Sequence, residues 1–141
     1  MNKDSAGISI KPIEIKDNRF LFQLLSERKL NENISHKKMP SYLQHVEFVA
    51  SKPYKKWHII YDKNKKIGSI YISKQNEIGL FFKTNEWKHE IANKCIKLLM
   101  KINNEKRYLV NVNPKNKKMV NFYKKNNFKL IQHTFELCVE E

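Results

Sequence analysis

The amino-terminal part of the chain alternates between apolar and polar residues and then changes to a helical pattern. Isoleucines recur at positions 8, 10, 13 and 15, which predicts a strand, and Pro12 favours a position near a sheet edge. Asp17 is the predicted cap of a helix that ends near Leu30. A polar stretch separates this helix from a second one, which begins around Pro40 or Ser41.

Three apolar runs in the middle of the chain are separated by short polar turns. They cover residues 57–61, 67–73 and 77–82. Short strands joined by tight turns predict an antiparallel meander. Alternation gives the middle strand two faces, with Ile70 and Ile72 on one and, on the other, Ile67, Ser69 and Tyr71.

The last third of the chain returns to helical spacing. Residues 86–103 carry apolar side chains at i, i+4, i+7, i+8 and i+11, which predicts a strongly amphipathic helix with Thr84 or Asn85 as its cap. A strand at 108–112, a helix at 113–126 and a final strand at 128–139 complete the pattern.

The resulting order of elements is β-α-α-β-β-β-α-β-α-β. A strand–helix–strand crossover after a meander predicts a mixed sheet with one parallel pair, formed by the fourth and fifth strands. A ligand site is expected at the carboxyl ends of those two strands and the amino end of the helix between them. The 141 residues are enough for one domain with one core, which we predict to span residues 1–141.

The chain is strongly basic, with a formal net charge of +14. Such a charge suggests nucleic-acid binding, but the excess consists of 25 Lys and only 3 Arg, scattered along the whole sequence. Proteins that read bases or clamp phosphates favour the planar guanidinium of arginine. We therefore interpret the charge as a solvated surface that attracts anionic ligands weakly, and we expect no specific nucleic-acid partner.

The cysteines and histidines do not form a metal-binding pattern. Cys95 and Cys138 are far apart, and both are predicted to be small buried hydrophobic residues. The five histidines include no pair at metal-ligand spacing on a helix, so we expect no metal. No secretory signal and no apolar run long enough for a membrane span is visible, so a soluble, cytoplasmic protein without a membrane partner is expected.

Two segments carry a family resemblance. Residues 112–128, with the sequence VNPKNKKMVNFYKKNNF, resemble the late motif of GNAT-type N-acetyltransferases, and Asn127 stands where that motif has glycine. Residues 78–82 and the helix from Glu86 resemble the central strand and acetyl-CoA helix of the same superfamily. The resemblance implies an α+β (α/β) fold with a mixed, mostly antiparallel sheet, four flanking helices and one splayed parallel strand pair.

The same resemblance implies acetyl-CoA as the co-substrate. The family pattern Gln/Arg-x-x-Gly-x-Gly/Ala aligns with residues 87–92, WKHEIA, so only Ala92 keeps to it, and Glu90 places a carboxylate near the expected pyrophosphate. The residues expected to bind the cofactor are Leu80, Phe81, Phe82, Lys83, Trp87, Lys88, His89, Glu90, Ile91, Ala92, Asn116, Phe122 and Lys125.

Three residues are candidates for proton transfer. The resemblance implies that Tyr123 is the general acid that protonates the CoA thiolate; the alternative is a half-buried core tyrosine. Glu77 is a candidate base, or else a solvated turn residue. His45 is a second candidate base, although an exposed histidine on the polar face of its helix is the simpler interpretation.

The expected reaction is direct attack of a primary amine on the thioester. A loose likeness between residues 28–48 and acetyltransferases of nucleotide-linked amino sugars favours an amino-sugar acceptor, with Arg28 and His36 as substrate residues. Two alternatives stay open, a GNAT-like module that has lost CoA binding and a lysine-rich nucleic-acid-binding protein. The oligomeric state is expected to be a monomer or a homodimer.

Overall fold

The computed structural model describes residues 5–28 and 38–139. The described chain contains five strands and four α-helices, with a short 3-10 helix at Ile15–Asp17. In chain order the elements are β1 (Ile8–Pro12), α1 (Asn18–Ser26), α2 (Tyr42–Ala50), β2 (Lys56–Asp62), β3 (Lys65–Ile72), β4 (Glu77–Phe82), α3 (His89–Ile102), β5 (Leu109–Val110) and α4 (Lys117–Lys125).

The strands form a single mixed sheet in the order β1-β2-β3-β4-β5. The first three pairings are antiparallel, and β4 pairs with β5 in parallel. The predicted meander and the predicted parallel pair are therefore both confirmed. The crossover through α3 produces the parallel pair, since a helix is needed to return the chain to the starting end of the sheet.

The sheet is covered on both faces. Isoleucines of β1 to β4 on one face pack against α3 and α4, with Leu99 and Phe122 almost completely buried. The opposite face carries a smaller cluster in which Leu21 of α1 and Val49 of α2 pack on Ile59 of β2. The apolar stripes predicted from helical spacing therefore face the sheet from both sides.

A β-bulge corrects the predicted faces of β3. The register between β2 and β3 shifts after Ile60, so Ile67 has no partner of its own in the ladder. Ile67 consequently packs in the same cluster as Ile70 and Ile72, on the opposite side from the predicted one. Simple alternation cannot detect such an insertion.

The amino-terminal elements are shorter than predicted. β1 ends at Pro12, and Ile15 lies in the 3-10 helix with its side chain exposed. Asp17 ends that 3-10 helix and is only 1% exposed; its carboxylate accepts hydrogen bonds from the Glu14 amide at 2.8 Å and from Lys66 Nζ at 2.6 Å. Asp17 is therefore at the predicted cap position, but its side chain makes no capping hydrogen bond and instead links the start of α1 to Lys66 of β3.

The helix caps are partly as predicted. Ser41 caps α2, because its hydroxyl accepts a hydrogen bond from the Gln44 amide. The other two caps lie later than expected: α3 starts at His89 after Lys88, and α4 starts at Lys117 after Asn116. Asn127 has a φ of 70°, which confirms the left-handed position predicted where glycine is usual.

The predicted final strand at 128–139 is wrong for this structure. None of these residues is in a strand, and residues 129–139 are exposed. Cys138 is exposed with them, which corrects the prediction of a buried thiol, whereas Cys95 is fully buried as expected. Alternation predicts a strand correctly only where another strand is present to satisfy its backbone hydrogen bonds.

None of the helices in the described part of the chain is long and apolar enough to span a bilayer.

Candidate active site

The two parallel strands part from each other shortly after they pair. β4 and β5 are joined only through Glu77 opposite Leu109 and Ile78 opposite Val110. Beyond this point β4 continues to Phe82 without pairing to β5, and we call this unpaired stretch at the carboxyl ends of the two strands the gap. This is the place where the sequence predicted a ligand site.

The amino end of α3 follows the carboxyl end of β4 along the chain. The Lys88 carbonyl, at the cap of α3, accepts a hydrogen bond from the Ala92 amide. The amides of His89, Glu90 and Ile91 come before Ala92 and therefore form the first turn of the helix. Such amides point along the helix axis and favour an anion. The side chain of Glu90 is exposed in this first turn and opposes that preference.

Two aromatic side chains beside this turn have buried ring nitrogens without a partner. They are Trp87 Nε1 and His89 Nε2, and both rings pack edge-on against Phe122 of α4, at 5.9 and 5.2 Å between centroids. The ammonium of Lys118 lies 4.8 Å from the Trp87 ring centre. Buried polar atoms are normally paired, so these two indicate hydrogen-bonding capacity that the protein itself does not use.

The remaining residues predicted to bind the cofactor fall into three groups. Some have side chains committed to the core: Leu80, Ile91, Ala92 and Phe122 are buried, and Phe82 packs against them. Two already form hydrogen bonds within the protein: the Lys83 amide donates to the Ile67 carbonyl, and the Asn116 side chain caps α4. Lys125 is exposed in the last turn of α4. Their contacts with a cofactor stay predictions.

Phe81 differs from its neighbours because alternation turns it to the face that α1 and α2 cover. The guanidinium of Arg28 lies over its ring at 3.6 Å from the centroid. Arg28, a predicted substrate residue, therefore lies beside β4, whereas His36 is outside the described residues.

Tyr71 lies across the backbone of β4 at the point where β4 and β5 part. A Cβ atom on Gly79 would stand 2.1 Å from Tyr71 Cζ and 2.5 Å from its hydroxyl oxygen, so only glycine admits the ring. Tyr54 stacks on Tyr71 at 3.7 Å with nearly parallel planes. Sequence reasoning missed both tyrosines, although a glycine inside a predicted strand was a signal of close approach.

The phenols of this pair are perturbed by their surroundings. Burial raises the pKa of both Tyr54 and Tyr71, and a hydrogen bond between them raises the pKa of Tyr54 further and lowers that of Tyr71. Both side chains are therefore neutral hydrogen-bonding groups at physiological pH.

Tyr123 reaches the same region from α4, on the other face of the sheet. It is 6% exposed and packs against Phe122 and Phe128, with centroid distances of 5.1 and 5.2 Å. Its pKa is raised well above the usual value, first by burial and then by the nearby Tyr71 phenol. Tyr123 thus holds its proton firmly, and it is more buried than the predicted cleft residue.

Glu77 is held at the closed end of the gap. Its Oε1 atom accepts a hydrogen bond from Ser73 Oγ at 3.1 Å, and its Oε2 atom accepts one from Asn111 Nδ2 at 2.7 Å. The carboxylate therefore links the end of β3 to the chain after β5. This placement differs from a freely solvated turn residue, and the role of a base stays a prediction.

His45 is buried in α2, which corrects the simpler expectation of an exposed histidine. It is 6% exposed and packs against Phe22 and Phe48. Burial lowers its pKa, and the charge of Arg28 lowers it further. The ring is consequently neutral at pH 7, and its Nδ1 atom has no hydrogen-bond partner.

A separate groove of about 500 Å³ runs along the outer face of α3. It is lined by Ser5, His89, Glu90, Asn93, Lys94, Lys97, Leu98 and Lys101, so it includes the first turn of α3. Within the described residues, no group of three or more His, Cys, Asp or Glu side chains is placed to hold a metal ion.

The fold is similar to that of several proteins of known structure. Spermidine N-acetyltransferase from Vibrio cholerae, in complex with CoA and spermine, has a TM-score of 0.75 and 16% identity over 92% of this chain and 85% of its own. An N-acetyltransferase from Staphylococcus aureus has a TM-score of 0.71 and 14% identity over 88% and 84%. A transcriptional regulator from Bacillus halodurans has a TM-score of 0.73 and 12% identity over 94% and 99%.

No protein-family model matches the sequence, and no curated protein matches it at a significant level. Identities this low show the fold alone, since one fold supports many functions. The chain therefore has the GNAT fold, as the late motif predicted.

Proposed function

We propose that the protein is an N-acetyltransferase that moves an acetyl group from acetyl-CoA to the primary amine of a small molecule. The observation that carries the proposal is the parting of β4 from β5 after Ile78, with β4 leading directly to the amino end of α3. A long thioester needs room for its acyl arm and an anion site for its pyrophosphate, and we assign these roles to the parting strands and to the first turn of α3.

The unused groups around this turn fit an anionic cofactor. The amides of His89, Glu90 and Ile91 and the unpartnered Trp87 Nε1 are hydrogen-bond donors in or next to the first turn of α3. Lys118, above the Trp87 ring, adds a positive charge. The thioester itself would lie deeper, beside Gly79, where the strands part.

The chemistry at the closed end requires two proton movements. The amine nitrogen attacks the thioester carbon, loses a proton, and forms the amide as the carbon–sulfur bond breaks. We assign the proton on the departing sulfur to Tyr123, whose raised pKa keeps it protonated, and the acceptance of the amine proton to Glu77 directly or through water. His45, neutral at pH 7, is the second candidate base.

For the acceptor we propose an amino sugar or a nucleotide-linked amino sugar, with Arg28 as a substrate contact next to Phe81. The known activity of a structural neighbour on spermidine makes polyamines the second acceptor class to compare. A non-catalytic module of the same fold is the alternative function, and Glu90 in the first turn of α3 is the observation that favours it.

Calorimetric titration with acetyl-CoA tests the cofactor first. Removing the charge in the first turn of α3 with Glu90→Gln is expected to tighten binding about fivefold, since a carboxylate near a pyrophosphate costs about 1 kcal/mol. Glu47→Gln makes the same charge change on the exposed face of α2 and is expected to leave affinity unchanged. No binding by wild type or by Glu90→Gln at millimolar acetyl-CoA would overturn the proposal.

Release of free thiol then tests catalysis. Amino sugars, nucleotide-linked amino sugars, spermidine and a peptide amino terminus are compared at equal concentration. Binding of acetyl-CoA without acceleration of thiol release by any of these amines would favour the non-catalytic module.

A further inference from the structure

The strand β4 presents every second residue to the face of the sheet that α1 and α2 cover. Ile78 and Leu80 pack in the cluster on the opposite face, so alternation places Glu77, Gly79 and Phe81 on this one. Gly79 is the first residue of β4 beyond Ile78, the last one that pairs with β5. The position without a side chain therefore coincides with the point where the two strands part.

Tyr71 of β3 occupies the place of that missing side chain. Tyr71 is the register partner of Gly79, and its hydroxyl oxygen would stand 2.5 Å from a Cβ atom on Gly79. The Tyr71 side chain is half-buried, unlike its neighbours Ile70 and Ile72, which are fully buried. A phenol hydroxyl thus reaches the β4 backbone where the strands part.

Three aromatic rings hold Tyr71 in this position. Tyr54 stacks on it with 3.7 Å between centroids, and the rings of Trp57 and Phe81 are each 6.2 Å away. Rings packed in this way restrict the rotation of the side chain before any ligand binds. A donor that is already in place stabilises a transition state effectively, because no reorganisation is needed when charge develops.

The hydrogen bond with Tyr54 leaves the Tyr71 proton available. Burial is the main cause of the raised pKa of both phenols, but this hydrogen bond raises the pKa of Tyr54 and lowers that of Tyr71. Such a pattern is expected when the Tyr54 hydroxyl donates and the Tyr71 oxygen accepts. The Tyr71 hydroxyl can then donate its own proton to a third group.

The Tyr71 phenol also lies near both groups that are assigned to proton transfer. After burial, the Glu77 carboxylate contributes to the raised pKa of Tyr71, and the Tyr71 phenol contributes to that of Tyr123. Electrostatic effects of this kind weaken with distance. A thioester beside Gly79 would therefore have Tyr71 on the face that carries Glu77, and Tyr123 on the opposite face.

We propose that the Tyr71 hydroxyl donates a hydrogen bond to the carbonyl oxygen of the thioester and stabilises the negative charge that forms there when the amine attacks. This role rests on the proposed N-acetyltransferase activity, with the thioester beside Gly79. As the nitrogen–carbon bond forms, an electron pair of the carbonyl bond moves to oxygen, and the hydrogen bond from Tyr71 strengthens. The pair returns as the carbon–sulfur bond breaks. Tyr71 keeps its proton throughout, and Glu77 and Tyr123 carry the two proton movements.

Infrared spectroscopy of bound acetyl-CoA, isotope-labelled at the thioester carbonyl carbon, tests the hydrogen bond without an acceptor amine. A donor to the carbonyl oxygen weakens the double bond, so the carbonyl band is expected at higher frequency in Tyr71→Phe than in wild type. The matched control Tyr61→Phe removes a hydroxyl from a half-buried tyrosine of β2 and is expected to leave the band unchanged. Equal frequencies in wild type and Tyr71→Phe would overturn the role of Tyr71 and leave the proposed activity intact.

Steady-state kinetics with the most active amine test the catalytic effect. Tyr71→Phe is expected to lower kcat about 100-fold, as the loss of one oxyanion donor does, while the dissociation constant of acetyl-CoA changes less than about twofold. Thermal denaturation checks that Tyr71→Phe and Tyr61→Phe are folded. A Tyr71→Phe variant with the kcat of wild type contradicts the role of Tyr71 alone. A wild type that binds no acetyl-CoA, or that releases no thiol with any amine, contradicts this role and the proposed activity together.

Discussion

Tyr123 shows at the scale of one residue how burial and chemistry compete. Burial among Phe122 and Phe128 is what a core tyrosine would show, and the same burial raises the pKa of the phenol. A phenol that holds its proton is a weak acid in water. It becomes a useful donor when a thiolate forms beside it in a water-poor site, since the new charge has few other partners.

Replacing Tyr123 with Phe separates the two roles. If the hydroxyl donates to the leaving thiolate, kcat falls about 100-fold or more, while KM for acetyl-CoA changes little. Only one oxygen is removed from a packed ring, so the melting temperature of the variant serves as the control for folding. Unchanged turnover would leave Tyr123 as a core residue.

Two buried histidines predict how the stability of the protein depends on pH. Burial lowers the pKa of both His45 and His58 below the usual 6.5. Below pH 6.5 the unfolded chain binds protons at these rings while the folded chain resists them, so acid favours unfolding. Stability is therefore complete above about pH 6.5 and is lost as the pH falls below it.

The double variant His45→Gln/His58→Gln removes both titrating rings. Denaturant unfolding at pH 7.5 and 5.5 is expected to show a smaller loss of free energy of unfolding in the variant than in wild type. Equal losses in the two proteins would assign the acid sensitivity to other groups.

At the scale of elements, one glycine lets a tyrosine of β3 cross β4. Because a Cβ on Gly79 would overlap the Tyr71 ring, Gly79→Ala is expected to lower the free energy of unfolding by about 1–3 kcal/mol, as overpacking does. In a Tyr71→Ala background the same change meets no ring and costs less. A double-mutant cycle by chemical denaturation measures the difference.

An exposed serine whose hydroxyl donates to the Gln23 carbonyl of its own helix provides the control for that cycle. Gly79→Ala combined with Ser26→Ala, at the end of α1, is expected to be additive. If the effects of Gly79→Ala and Tyr71→Ala on the free energy of unfolding are additive, the Tyr71 ring can adopt another position. The close approach of the ring would then not explain why residue 79 is glycine.

The elements also show what local patterns can predict. α3 was predicted from its apolar spacing because a helix satisfies its own backbone and needs only one stripe to pack. The segment at 128–139 has equally clear alternation, but a strand needs a hydrogen-bonded neighbour, which no property of the segment itself supplies. Ile67 was placed on the wrong face for a related reason, since a bulge belongs to a pair of strands.

At the scale of the whole molecule, the charge of +14 opposes folding through repulsion among lysines. The screening length falls from about 30 Å at 0.01 M salt to about 8 Å at 0.15 M. The melting temperature is therefore expected to rise with sodium chloride over this range. A fall would indicate that surface ion pairs, such as Lys65 with Glu86 at 2.6 Å, outweigh the repulsion.

By itself, the sequence determined the order of elements from β1 to α4, the parallel pair and the late motif. These features depend on the spacing of residues that are near each other in the chain, so their periodicity is visible without a structure. Tyr123 and Glu77 became candidates in the same way, one from the late motif and one from the start of a predicted strand.

Only the tertiary structure decided which of these residues meet. The crossing of Tyr71 over Gly79, the burial of His45 and the hydrogen bonds that hold Glu77 join residues from different elements. Such contacts depend on strand register and on which faces the helices cover, and neither is encoded in a local period. For the same physical reason, the structure left the carboxyl-terminal strand pattern without a partner in its own chain.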